Sequence, residues 1–257
     1  MAHPRHPSPL LILLDVGNTA VTYGIYSSGR MLNGGSAKID SIPKIVKKYA
    51  TNGSFRPINT VISSVVPGYI SFLKKSFAQL KDIRLWVAGR NLPVPVNSNY
   101  KHNNKLGIDR AVNAYGASQI YVNPLVVIDI GTAITADFIS KKGVFEGGLI
   151  IPGPQISFEA LKARTALLPK NLAFPVKSDG FLGKSTSECM SSGVLQGFGA
   201  MLDGLIDRFR SQYGSALRII VTGGYSSILR KYSHSRFTLN PDLSIQSLLL
   251  LYKSKSR

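Results

Sequence analysis

Two short segments of the chain carry the same reactive groups in the same order. Leu13-Leu14-Asp15-Val16-Gly17-Asn18-Thr19 and Val127-Ile128-Asp129-Ile130-Gly131-Thr132-Ala133 each run an aliphatic strand into Asp-x-Gly and then small or polar residues. A strand end of this kind gathers a carboxylate, hydroxyls and backbone N–H groups, where a phosphate with its Mg²⁺ can sit. Glycine removes the Cβ that would block so close an approach. Asp15 and Asp129 also suit a hard cation, held directly or through water. Either string alone reads as ordinary turn chemistry, an Asp accepting N–H bonds at a strand end. The two together point to phosphate.

Other segments add to this set. Ile219-Ile220-Val221-Thr222-Gly223-Gly224-Tyr225 is an apolar strand ending in a glycine pair, against which a flat base or ribose can lie, although strand-Gly-Gly-helix is also an ordinary joint. Gly107-Ile108-Asp109-Arg110 opens an alanine-rich helical stretch. The helix dipole keeps an Asp there ionised, which suits a proton acceptor and equally suits a helix cap. Taken alone, Asp109 reads as the cap and Arg110 as a salt-bridged or solvated charge. Gly183-Lys184-Ser185-Thr186 precedes another helix, which Ser or Thr can cap or supply with an anion site. Gly180 to Ser185 is too short between its glycines for a Walker A loop, and Gly197-Phe198-Gly199 lacks the third glycine of a dinucleotide fingerprint.

These groups need elements to hold them. Apolar runs bounded by turn residues predict strands at Leu10 to Leu14, Val61 to Val66, Leu85 to Val87, Val126 to Ile128 and Arg218 to Val221. Helices are expected at Ser41 to Tyr49, Tyr69 to Leu80, Arg110 to Tyr121, Gln155 to Leu167, Ser187 to Tyr213 and Ser226 to Tyr232. Glu146 to Pro154 is rich enough in Gly and Pro to read as a shaped turn. Mixed strand and helix with buried strands means α/β. Each Asp-x-Gly strand continues into β-prone residues, Val21 to Tyr26 and Ile134 to Ile139, and then a glycine turn. Gly29 lies 14 residues after Asp15, and Gly143 lies 14 after Asp129. This internal repeat predicts two related lobes, 1–122 and 123–257, with residues 1–8 as a flexible tail.

Composition narrows the classes. The 257 residues are 44% apolar and 17% charged, as in a packed globule. Neither aliphatic run, Leu10 to Leu14 or Leu248 to Leu251, approaches the roughly 18 residues of a membrane span. With no signal-peptide core before Asp15, a cytoplasmic location is expected. The single cysteine, Cys189, excludes an internal disulfide and a cysteine-built zinc site, and the four histidines lack zinc-ligand spacing. Lys plus Arg number 31 against 13 for Asp plus Glu, a net charge of +18 that favours anionic partners without choosing among them. The lysines are scattered, so a solvated basic surface is the simpler reading.

In order and spacing, Asp15 to Thr19, Ser63-Ser64-Val65-Val66-Pro67, Gly107 to Arg110, Asp129 to Thr135, Gly147 to Gly153, Gly183 to Thr186 and Thr222-Gly223-Gly224 resemble a type III pantothenate kinase. That family belongs to the acetate and sugar kinase/Hsc70/actin superfamily, and the resemblance implies two RNase H-like lobes. It implies ATP-dependent phosphorylation of pantothenate, the first step of coenzyme A biosynthesis. Its ATP phosphate segment maps onto Asp15, Val16, Gly17, Asn18, Thr19, Ala20, Val21 and Thr22, with Thr132 a further ATP contact. Asp129 maps onto the ligand of a monovalent cation, K⁺ or NH₄⁺. Tyr100, Gly107, Ile108, Asp109, Arg110 and Thr186 map onto the pantothenate site, and Asp109 onto the proton acceptor, displacing its reading as a cap. ATP with Mg²⁺, pantothenate and a homodimer are the implied partners, with no membrane and no nucleic acid. Asn103-Asn104-Lys105 departs from the family, which commonly has proline there. The alternatives are a kinase for another hydroxylated acid or sugar, and a non-enzymatic transcription accessory or nucleic-acid-binding relative. The presence of Asp109, Asp129 and Thr186 favours the enzyme over the latter.

Overall fold

The computed structural model describes residues 8–50, 55–102, 105–165, 168–169, 171–176 and 180–255. Of the sequence readings, the tail up to residue 7, Asn103-Asn104 and the last two residues of the helix expected to end at Leu167 lie outside them. The chain divides into two compact units. One is Met1–Val96 with His102–Ile120 and Leu243–Arg257; the other is Asn97–Lys101 with Tyr121–Asp242. Among the described residues no helix is long and apolar enough to cross a membrane.

The first unit is built on β1 (Ser8–Val16), β2 (Val21–Ser27), β3 (Arg30–Ala37), β4 (Phe55–Ser64) and β5 (Ile83–Val87), in the order β3-β2-β1-β4-β5. The first three strands form an antiparallel meander, while β4 and β5 join parallel. Alternation in β1 explains its continuous aliphatic run, because both faces are covered. Leu10, Ile12, Leu14 and Val16 pack with α1 (Ile42–Ala50) and α2 (Pro67–Phe77) through Ile42, Val46, Ile70, Leu73 and Phe77. Leu13 faces the other way, where Val112 and Tyr115 of α3 (Ile108–Ile120) meet Ile245, Leu248 and Leu251 of a C-terminal helix, Leu243–Ser254.

The second unit repeats this plan. Its strands are β6 (Leu125–Ile130), β7 (Ala133–Ile139), β8 (Phe145–Pro152), β9 (Arg218–Thr222) and β10 (Thr238–Leu239), in the order β10-β9-β6-β7-β8. Counted within each unit, both sheets run 3-2-1-4-5, with the first pairings antiparallel and the last two parallel. This is the RNase H-like arrangement in both halves. Its helices are α4 (Pro154–Arg164), α5 (Thr186–Tyr213) and the single turn α6 (Ser226–Leu229); Leu195, Leu202 and Ile206 of α5 cover Val126, Ile128 and Ile130. The C-terminal helix is therefore α7.

The repeat extends to single residues. Asp15 faces Thr22 on β2 and Ser63 on β4, and Asp129 faces Thr135 on β7 and Thr222 on β9. A strand irregularity follows at Ile25/Tyr26 in one unit and at Phe138/Ile139 in the other. The equal spacing of Gly29 and Gly143 conceals two offsetting differences. The first turn closes Val16 on Val21 but Ile130 on Ile134, shorter by one residue, and the next hairpin closes Ser27 on Arg30 but Ile139 on Phe145.

Three expectations need correcting. The segment read as a shaped turn at Glu146 to Pro154 falls largely in the strand β8, an edge position where Gly147, at φ 135°, and the terminal Pro152 are tolerated because, past a bridge at Phe145, the described residues form no ladder on its outer side. The helix expected over Ser226 to Tyr232 is one turn. Helix α7 was not expected at all, and it belongs to the first unit, whereas the sequence reading placed 243–257 with the second lobe.

Candidate active site

In the first unit, β1 carries Asp15 to the sheet's end, and the turn beyond it is closed by Gly17 N–H donating to the Ala20 carbonyl at 3.1 Å. Asn18 and Thr19 are exposed on that turn. Asp15 itself is half-buried. Burial first, and then the negative charge of Asp109, raise its carboxyl from 3.8 to about 6, against the opposing pull of the Ser244 and Ser63 hydroxyls. Ser63 Oγ, 1% exposed, meets no partner at full hydrogen-bonding geometry, so its help is that of a nearby dipole rather than a formed bond.

Asp109 stands one residue inside α3, so it is not the cap: the helix begins at Ile108, and Gly107 O accepts from Ala111 N–H at 3.0 Å. Its carboxylate folds back over Gly107, where a Cβ would stand 2.6 Å from Asp109 Oδ1. Arg110 is buried, at 6% exposure, which rules out the solvated charge expected from sequence. The structure thus sets Asp15 within electrostatic reach of Asp109, far from it in the chain, and puts Ser63 opposite it on β4.

In the second unit, the corresponding turn carries Asp129, half-buried, and Thr132. Gly131 N–H donates to the Ala133 carbonyl at 3.1 Å, as Gly17 does in the first turn. Two further glycines close on this turn. Gly153, the residue before α4, donates to the Thr132 carbonyl at 3.0 Å, and a Cβ there would collide with the Gly131 and Thr132 carbonyl oxygens. A Cβ on Gly223 (φ 93°) would collide with Asp129 Oδ1 and with the backbone of Ile130. Gly223 therefore serves the approach of two strand ends, and it is Gly224 that leaves open space. Sequence reasoning had treated the pair as one surface for a base, since spacing does not say which glycine is filled.

Tyr100 and Thr186 also lie in the second unit. Residues 97–99 bind the start of β8, with Phe145 N–H donating to Asn97 O at 2.8 Å and Asn99 N–H to Phe145 O at 2.9 Å. That leaves the half-buried Tyr100 edge-on to Phe145, ring centres 6.0 Å apart. Thr186 is exposed at the first position of α5. The cap is its neighbour Ser185, whose Oγ accepts from Glu188 N–H at 3.3 Å, while Glu188 Oε2 accepts from Lys184 N–H at 2.7 Å.

A family model described as type III pantothenate kinase matches residues 11–208. The chain belongs to the type III pantothenate kinase family. A relative from Persephonella marina, a type III pantothenate kinase, is 33% identical over 95% of this chain and 98% of its own length. One from Listeria monocytogenes is 32% identical over 95% and 97%. A third, from Caulobacter vibrioides, is 36% identical over 77% of each. Among solved structures, a conserved putative Baf family transcriptional activator from Campylobacter jejuni matches with a TM-score of 0.58 at 20% identity, covering 95% of this chain and 98% of its own. The ethanolamine utilization protein EutJ from Carboxydothermus hydrogenoformans matches with 0.53 at 14% identity, covering 96% and 92%. These two likenesses concern the fold alone. Within the span matched to the type III pantothenate kinase family fall Asp15, Ser63, Asp109, Asp129 and Thr186; Gly223 and Ser244 lie beyond it.

Proposed function

We propose that this chain transfers the γ-phosphoryl group of ATP to the primary hydroxyl of pantothenate, yielding 4'-phosphopantothenate and ADP as the first step of coenzyme A biosynthesis in the cytoplasm. The observation that carries this reading is the pairing of Asp15 with Asp109, in a chain whose family match spans both. One carboxylate beside a glycine turn suits a phosphate site, and a second, at the start of a helix, suits the acceptor alcohol.

Phosphoryl transfer proceeds through a loose transition state, so the protein's part is mainly positioning and charge neutralisation. Asp15 to Thr22 and Thr132 would hold the ATP phosphates, with Mg²⁺ arriving as part of the nucleotide. Tyr100, Gly107 to Arg110 and Thr186 would hold pantothenate. Asp109 would orient the hydroxyl and accept its proton as the new P–O bond forms and the bond to ADP breaks.

The surroundings of Asp129 fit a monovalent cation, K⁺ or NH₄⁺. Asp129 Oδ1 and the Ile130 carbonyl oxygen both lie against the space that a Cβ on Gly223 would take, so a carboxylate and a carbonyl oxygen address the same small gap. Such a cation would supply positive charge near the phosphates. The active species is proposed as a homodimer.

The test is purified protein incubated with ATP, Mg²⁺ and pantothenate, in K⁺ against Na⁺, with phosphopantothenate measured directly. Product formation favoured by K⁺ is expected. Absence of product under either salt overturns the reading.

A further inference from the structure

The Asp-x-Gly turn of the second unit is enclosed by a ring of three hydrogen bonds. Gly153 N–H donates to the Thr132 carbonyl at 3.0 Å on one side of the turn, and Tyr225 N–H donates to the Ile130 carbonyl at 3.0 Å on the other. The Tyr225 hydroxyl then donates to Gln155 Oε1 at 2.9 Å, which joins the turn after β9 to the start of α4, two residues from Gly153. The Gln155 amide is held at both ends. Its Nε2 donates to Glu159 Oε1 at 2.9 Å, one helical turn on, and Glu159 is paired in turn with Lys162 at 3.1 Å. An ionised carboxylate only accepts, so Nε2 must face Glu159 and Oε1 is left for the hydroxyl. The Tyr225 ring lies against Phe174, centres 5.9 Å apart, and Phe174 lies against Phe158 of α4 at 4.8 Å. In the first unit the place of Tyr225 is taken by Val65, whose N–H donates to the Val16 carbonyl at 3.3 Å and whose side chain has no hydroxyl. An RNase H-like turn therefore closes without this clasp, which is an addition to the turn that carries Asp129 and Thr132.

We infer that Tyr225 is a positioning residue for the nucleotide: its hydroxyl, through Gln155, fixes α4 against the turn and so sets where Thr132 meets ATP. Two links of the ring are backbone bonds, open to any residue with an N–H. The third is made by side chains, and it is the one that ties the β9 turn to α4. Gly153 leaves no slack between α4 and the Thr132 carbonyl, so a shift of the helix start is passed to Thr132. Tyr225 lies beyond the span matched to the family and Gln155 within it. The inference rests on the proposed function through the role given there to Thr132 in holding ATP.

The experiment compares the wild type, Tyr225→Phe, Gln155→Met and the double variant in steady-state assays varying ATP and pantothenate separately. Dissociation constants for a non-hydrolysable ATP analogue with Mg²⁺ and melting temperatures are measured alongside. Tyr225→Phe removes one oxygen and keeps the ring on Phe174. A hydrogen bond between uncharged groups accounts for about two- to ten-fold in affinity. Tyr225→Phe is therefore expected to raise the KM for ATP and the dissociation constant of the analogue by about that much, with the KM for pantothenate unchanged and the melting temperature close to wild type. The double variant is expected to lose no more than Gln155→Met alone, because the hydroxyl acts through that amide. Wild-type affinity for ATP in Tyr225→Phe overturns the inference and leaves the proposed function standing. Losses that multiply in the double variant overturn it too. Equal losses toward both substrates with a lowered melting temperature mean a packing role and overturn it as well. If the wild type forms no phosphopantothenate, the proposed function fails, and the analogue alone decides the inference, which survives only if the analogue binds and Tyr225→Phe weakens that binding.

Discussion

The charge of Asp109, in the first turn of α3, reaches Asp15 at the end of β1 and works in the same direction as the burial of that residue. Both make Asp15 costly to ionise, with its carboxyl raised to about 6. The unfolded chain releases that proton near the ordinary 3.8, so between 3.8 and about 6 the folded state holds a proton that the unfolded state has lost. The contribution of Asp15 to stability therefore falls as pH rises through this window and levels off above it. Asp15→Asn removes this contribution. Its melting temperature is expected to exceed that of the wild type at pH values above the window, by about 2–4 °C for each kcal/mol relieved in a chain of this size. The gap should close as the acid end of the window is reached, and the variant should lose kinase turnover. Calorimetric melts across the window check this; a variant that melts below wild type on the alkaline side would contradict it.

Asp109→Asn keeps the shape and hydrogen-bonding reach of the side chain but removes its capacity to take a proton. Turnover of pantothenate is expected to fall by roughly 10² to 10⁴-fold. Affinity for ATP should stay within a few-fold of wild type, read by nucleotide titration beside a single-turnover assay. Near-normal turnover would remove Asp109 from the role of base.

The glycine pair at 223 and 224 separates two effects that the sequence presents as one. Gly223→Ala forces a methyl group against Asp129 Oδ1 and Ile130 at a φ of 93°, whereas Gly224→Ala enters open space. The first variant is expected to melt lower and to lose most of its activity, and the second to keep the stability of the wild type. Thermal shift and kinase assays on the two proteins side by side test the difference.

Gly116→Ala overfills the contact between α3 and α7, and overpacking of this kind costs about 1–3 kcal/mol. Adding Ser247→Gly removes the atoms that the new methyl meets first. The double variant should therefore regain part of the lost stability. Denaturant unfolding of the two single variants and the double forms a cycle in which that coupling appears directly, and strict additivity would place the collision elsewhere.

What the sequence made legible follows from where side chains do the work. β1 and β6 were readable because aliphatic runs covered on both faces end in an acidic glycine turn. The glycine-rich edges β3 and β8 were not: an outer strand holds to the sheet by one row of backbone bonds and can form from Asn33-Gly34-Gly35 or Glu146-Gly147-Gly148. Helix α7 was hidden by Leu248 to Leu251, a run with no polar interruption to set a period, and by Ser247 within its buried stripe. At the site, the Asp-x-Gly turns themselves singled out Asp15 and Asp129, while resemblance supplied the role of Asp109. The residue types around Asp109 pointed to a cap because a start of helix displaced by one position cannot be seen in Gly-x-Asp-Arg.

The discontinuity of the first unit bears on synthesis. Chains emerge from the ribosome N-terminus first, and domains tend to fold as they appear. The strands of the first sheet are all available before the second unit has been made, yet α7, which packs on the face of that sheet opposite α1 and α2, is translated only after the second unit. A nascent chain can hence carry the acidic turn and the helix bearing Asp109 for most of its translation while still lacking the piece that completes their surroundings. Termination between the second unit and α7 would leave a product with an uncovered apolar face, marked for aggregation or proteolysis.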